Sequence, residues 1–152
     1  MSRKLILFAI FTVCFIPVIV GCTTDKPSVA VRWHFIDNFD TAYARPASGN
    51  CFVVIKVSVE NKGLRSLKVS PYALNLVVKN VCYKVNALPV LASKKPLLPM
   101  VEVEKGGIVE GLIAFEVPAG DIEAYLDIDP AYARTYSYRG GIDWIPEPNA
   151  ND

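Results

Sequence analysis

One histidine, two methionines and four cysteines in 152 residues are scarcities that exclude more than any motif includes. With His34 as the single imidazole and no GxSxG elbow around any serine, nucleophile, base and orienter cannot be assembled. The same shortage removes the recognised zinc and copper spacings, and no cofactor is expected. Excess charge of one sign is also missing. With Arg3 and Lys4 set aside with the leading segment, fourteen basic residues face fifteen acidic ones, a formal charge near −1. A basic nucleic-acid footprint is therefore absent. Beyond the first twenty residues the chain has no second long apolar run and no convincing helical period.

What is present begins at the N-terminus. Arg3 and Lys4 precede an unbroken apolar run from Leu5 to Val20, the layout of an export signal. At about 1.5 Å per residue this run reaches roughly 24 Å, short of the ~30 Å hydrocarbon core, and Pro17 interrupts it. It ends in Ile19, Val20, Gly21 and Cys22, which resembles a prokaryotic lipobox. That resemblance implies cleavage after Gly21, a thioether diacylglycerol on Cys22 and an amide-linked acyl chain of the palmitate class. Two or three acyl chains hold a protein on a membrane stably where one does not. The expected location is the cell membrane, lipid-anchored on the extracytoplasmic face; the alternative is an ordinary cleaved signal with Cys22 a leftover thiol. Residues 1–21 form the signal, 22–28 a tether, 29–145 one domain, and 146–152 a flexible tail.

The domain is organised around Cys51 to Gly63, CFVVIKVSVENKG. Cys51, Val53, Ile55, Val57 and Val59 fall on one face, and Lys56, Ser58 and Glu60 share the other with Phe52 and Val54, the period of a half-buried strand. Val29 to Ile36 predicts a strand before it. Asn61, Lys62 and Gly63 turn into Leu64 to Ser70, expected as its antiparallel partner. Leu74, Leu76 and Val78 are expected to face Val81, Tyr83 and Val85 across a two-residue turn at Lys79 and Asn80. Residues 86–107 lack a steady period and are expected to cap one end. Val109, Ile113, Phe115 and Val117 predict a strand, as do Ala124, Leu126 and Ile128 after Ile122. A last hairpin is expected from Thr135 to Tyr138, through Arg139 to Gly141, into Ile142 to Ile145. The expected fold is all-β, an immunoglobulin-like antiparallel sandwich of about 7–9 strands after the signal helix.

FVVIKVSVENKG, LKVSPYALNLV and EKGGIVEGLIAFEVPAG resemble the telokin-like, immunoglobulin-like domain of prokaryotic surface lipoproteins and secreted antigens. The resemblance covers roughly residues 29 to 145. It implies architecture and exposure at a surface more than an activity.

Four groups of residues are candidates for chemistry or binding. Cys51 and Cys82 could bond outside the cytoplasm, although the hairpin's alternation sets Cys82 with Asn75 and Val77, away from the Leu74, Leu76 and Val78 face. Asp40 to Arg45, DTAYAR, nearly repeats at Asp129 to Arg134, DPAYAR. With Asp37 and Asp127 nearby, Asp40 and Asp129 are a weak calcium set; loop ends also collect Asp for turn reasons alone. Tyr132, Tyr136, Tyr138 and Trp144 make a candidate aromatic binding patch, against the plainer reading of cross-strand packing. PLLP at Pro96 to Pro99 reads as a stiff loop. Together these features point to a membrane-anchored lipoprotein with a non-catalytic binding or adaptor domain for an envelope protein or glycan. The rivals are a spacer domain with no ligand and a hydrolase using carboxylates of the Asp-rich loops.

Overall fold

The computed structural model describes residues 28–120, 123–132 and 142–147. The signal and Cys22 lie outside them. The described strands are β1 (Val29–Phe35), β2 (Asn50–Asn61), β3 (Ser66–Val69), β4 (Leu74–Val78), β5 (Val81–Lys84), β6 (Val101–Glu104), β7 (Ile108–Pro118), β8 (Ala124–Ile128) and β9 (Ile142–Pro146), with a short helix α1 (Leu88–Ala92). They form a four-stranded sheet ordered β7-β2-β1-β9, a three-stranded sheet ordered β5-β4-β8, and a β3–β6 ribbon. This is an all-β sandwich. Among the described residues no helix is long and apolar enough to cross a membrane.

Alternation builds the core. Val57 lies opposite Trp33 on one side and Gly111 on the other, and Ile55 opposite Phe35 and Ile113, so the inward residues of three strands share one face. They pack with Leu74, Leu76, Val78 and Leu126 of the second sheet, while Phe115, Ile55 and Leu76 are fully enclosed. Fully burying a side chain of this size contributes about 1.5–3 kcal/mol. The hairpin is as expected: Leu76 pairs with Tyr83 and Val78 with Val81, and Lys79 (φ 48°) and Asn80 (φ 66°) supply the two left-handed residues of a type I′ turn.

Three expectations are corrected by tertiary competition for strand edges. Leu64 to Ser70 does not pair with β2, because β1 and β7 already occupy both edges of β2; its strand, β3, pairs with β6 instead. Asn61 steers this departure. Fully buried, its Nδ2 donates to the carbonyls of Leu64 and Val103, both at 2.9 Å, and its Oδ1 accepts from Leu64 N at 2.9 Å. Residues 86–107 do not cap an end. They cover the outer face and far edge of β7, where Val90 and Leu97 pack with Val54, Ala114 and Leu112 as a second small core. Leu98 N donates to Leu112 O and Leu112 N to Pro96 O, each at 2.9 Å, so the PLLP segment is fastened along the edge of β7 by an isolated parallel bridge at Leu97. The last strand, β9, pairs in parallel with β1, and the first arm of the expected C-terminal hairpin lies outside the described residues. At the end of β9 Pro146 pairs with Trp33, and Glu147 N donates to Trp33 O at 2.8 Å.

Candidate functional site

The site grows from the place where β1 ends and β2 begins. Ile36 N donates to Val54 O at 2.8 Å, prolonging the ladder by one step before Asn38 turns the chain at φ 54°. Asp40 Oδ1 then accepts the amide of Ala42 at 2.8 Å, and Ala42 itself adopts φ 53°. A left-handed alanine costs roughly 1–2 kcal/mol, so the surrounding bonds must hold it there. They include Ala44 N to Thr41 O at 3.0 Å and Arg45 Nη1 to Ala42 O at 3.0 Å. Glu116 on β7 fastens the far end of the loop, its Oε1 accepting from Ala47 N at 2.7 Å and Asn50 Nδ2 at 3.0 Å. Those bonds, the Ala47 amide first and Asn50 next, hold the Glu116 carboxyl below its ordinary value.

The loop frames an open depression of about 310 Å³ lined by Phe35, Ile36, Asp37, Asn38, Phe52, Val53 and Val54. Its floor is apolar and its rim carries an acid and an amide, the mixture that orients small polar ligands over an apolar surface. On the same loop Tyr43 is 93% exposed. The depression lies at the end of β1 remote from Ser28, and the seven residues of that strand span about 23 Å. The chain enters the domain at the opposite pole.

The structure places the described residues among those proposed from sequence as follows. Tyr136 and Tyr138 lie outside the described residues. Trp144 is half-buried and packs on the core, because parallel pairing sets it opposite Val31. Tyr132 is half-buried, and its hydroxyl donates to the Lys68 carbonyl at 2.8 Å. Asp37 and Asp40 follow β1, whereas Asp127 and Asp129 flank Ile128, which shares a small cavity with Val31 and Val59 near the other end of β1. From Val31 to Asp37 is about 20 Å of strand, too far for a shared ion or for the ~5–10 Å spacing of a glycosidase carboxylate pair. Among the described residues no three ligating side chains cluster. The near-repeat has a local explanation: Asp129 Oδ1 accepts Ala131 N at 2.8 Å, the same turn that Asp40 makes with Ala42. Asp129 also pairs with Lys84, and that ammonium, followed by the Ala131 amide, lowers its carboxyl below the ordinary value.

Cys51 and Cys82 are thiols, not a disulfide. Cys51 packs on the core from β2, while Cys82 pairs with Val77 on the outer side of β5 and is exposed, so alternation turns them apart. His34 faces outward from β1 with Nδ1 3.5 Å from Glu147, in a row with the ion pairs Arg32–Glu60 at 3.0 Å and Lys56–Glu110 at 3.7 Å. Arg32–Glu60 is half-buried and Lys56–Glu110 exposed, and an exposed pair contributes only about 0–1 kcal/mol.

The depression itself was missed by sequence reasoning. Two signals for it existed: Phe52, with Val54, makes the first part of its strand's outward face apolar, and DTAYAR carries an aromatic in a run of turn residues.

The family model for a domain of unknown function, DUF4352, matches residues 24–136. A search of curated proteins finds no match. Among solved structures, the chain is similar to a candidate lipoprotein (ycdA) from Bacillus subtilis, with 15% identity and a TM-score of 0.44. The similarity covers 75% of this chain and 40% of that one, so the chain spans about two fifths of that structure's length. With most of its length matched by the family, the chain belongs to the DUF4352 family.

Proposed function

We propose that the protein is a lipoprotein held on the extracytoplasmic face of the cell membrane through acylated Cys22, and that its sandwich is a non-catalytic binding domain for an envelope protein or glycan. In this reading the domain is of the immunoglobulin-like kind seen in surface lipoproteins, spans 29–145, and stands on the tether 22–28. The observation that carries the reading is the polarity of the fold. The open depression and Tyr43 occupy the pole remote from Ser28, and therefore the pole turned away from an anchored Cys22. Supporting it is the loop's construction, in which left-handed Ala42 is held by side-chain bonds from Asp40 and Arg45 beside the displayed Tyr43. Strained residues of this kind concentrate where ligands are met.

The test is capture of solubilised envelope protein and glycan fractions by the full-length protein and by Tyr43→Ala and Asp37→Ala. An exposed anchor residue should cost at least about 2 kcal/mol of binding when truncated, roughly thirtyfold, with the thermal midpoint unchanged. Equal retention by all three proteins, or none by the parent, would leave a spacer domain. The anchor is checked separately: Cys22→Ser should abolish lipid labelling.

A further inference from the structure

We infer that the pole beside Ser28 is a docking face for an anionic lipid surface, centred on Arg65 and Lys105. Two turns meet there. Lys62 N and Gly63 N donate to Ser28 O at 2.9 and 3.0 Å, and Gly106 N donates to Asn61 O at 2.7 Å, so the 61–65 turn, the 105–107 turn and the incoming chain form one surface. In the β3–β6 ribbon Ser66 lies opposite Glu104 as the last pair, and Arg65 and Lys105 are the residues next to that pair in the chain, at the ribbon's end. Both residues are exposed, and neither has an ion pair among the described residues. Lys62, also exposed, adds a third cation beside them. The nearest acids are Asp143, which pairs with Lys62 at 3.4 Å, Glu104, one step inside the ribbon, and Glu102, which accepts from the Ser66 hydroxyl. The tips of the two turns carry no carboxylate of their own.

Exposed cations without an ion pair at the tips of two turns are placed to meet an external anion, and the tether identifies which. Only five residues separate Cys22 from Ser28, and the six steps reach about 20 Å even when fully extended. An acylated Cys22 therefore keeps the pole that carries Arg65, Lys105 and Lys62 within about 20 Å of the lipid headgroups at full extension, about two of the ~8–10 Å screening lengths at moderate salt, and a slacker tether brings it within one. The inference rests on the anchored reading proposed above. The domain is then oriented as well as tethered, with its cationic pole down and the depression outward.

The test reconstitutes the full acylated protein in phosphatidylcholine vesicles with and without phosphatidylglycerol and measures lysine acetylation by mass spectrometry. Lys62 and Lys105 should label at least about threefold more slowly on the anionic vesicles, with Lys79 and Lys94 unchanged and the difference lost in high salt. In a folded Arg65→Gln, Lys105→Gln variant, Lys62 should label equally on both vesicles. Equal labelling of Lys62 and Lys105 on both vesicles, with the parent protein membrane-bound, would overturn the docking face alone. Failure of the parent to partition into either vesicle would overturn the anchor, and the docking face with it.

Discussion

Gly111 and Leu98 are in backbone contact: a Cβ on Gly111 would lie 2.3 Å from Leu98 Cα and 2.4 Å from Leu98 N. Gly111 sits between Val109 and Ile113 on the inward face of β7, so the missing side chain is the gap through which the 96–98 segment reaches the sheet. Leu98 fills that gap and is itself fully buried. Gly111→Ala should therefore push Leu98 from both the core and the ladder, costing about 1–3 kcal/mol or more. Urea unfolding checks it, and an unchanged midpoint would contradict the contact.

Asn61 predicts a second loss. Replacing it by Ala orphans the carbonyls of Leu64 and Val103 and the amide of Leu64, groups that the Asn61 side chain satisfies. Each buried polar group left unpaired costs about 1–3 kcal/mol, so a destabilisation of at least ~2 kcal/mol is expected. Asn61→Asp should fare no better, since a carboxylate cannot donate to either carbonyl. A stable Asp variant would show that Asn61 does not direct the turn.

Strand register is tested by neighbours of opposite orientation. Phe115 and Val57 are both fully buried, whereas Lys56 is exposed and reaches only Glu110 at 3.7 Å. Phe115→Ala should cost roughly 3–5 kcal/mol and Val57→Ala somewhat less, against about 0.5 kcal/mol or less for Lys56→Ala. Comparable losses at Val57 and Lys56 would reverse the faces assigned to β2.

Acid should loosen the loop that frames the depression. The Glu116 carboxyl lies below its ordinary value of 4.5 in the folded protein, held there first by the Ala47 amide and then by Asn50. A carboxyl with a lower value folded than unfolded binds fewer protons in the native state, so its contribution is complete above the unfolded value. It is lost as pH falls from there through the folded value. Asp129, lowered first by Lys84, acts in the same direction from its ordinary 3.8. Thermal midpoints should fall below about pH 4.5, and Glu116→Gln should make that fall shallower. An identical acid profile in the variant would remove Glu116 from the account.

Short-range physics was legible in the residues themselves. Alternation placed Val53, Ile55 and Val57 inward and Lys56 outward, because a strand's side chains change face at every residue. The Lys79–Asn80 turn followed from two strands separated by two residues. The Asp residues of DTAYAR and DPAYAR could be read as turn-makers, since each closes a bond only two residues away. None of these needs a distant partner. Which edge each strand takes was decided only by the tertiary structure, because an edge is a resource for which strands far apart in the chain compete. β1 and β7 fill both edges of β2, which sends β3 to β6, while β9 joins β1 in parallel and carries Trp144 into the core. The depression between Phe35 and Phe52 follows from that competition, and its local traces, Phe52 and the aromatic of DTAYAR, do not by themselves place it.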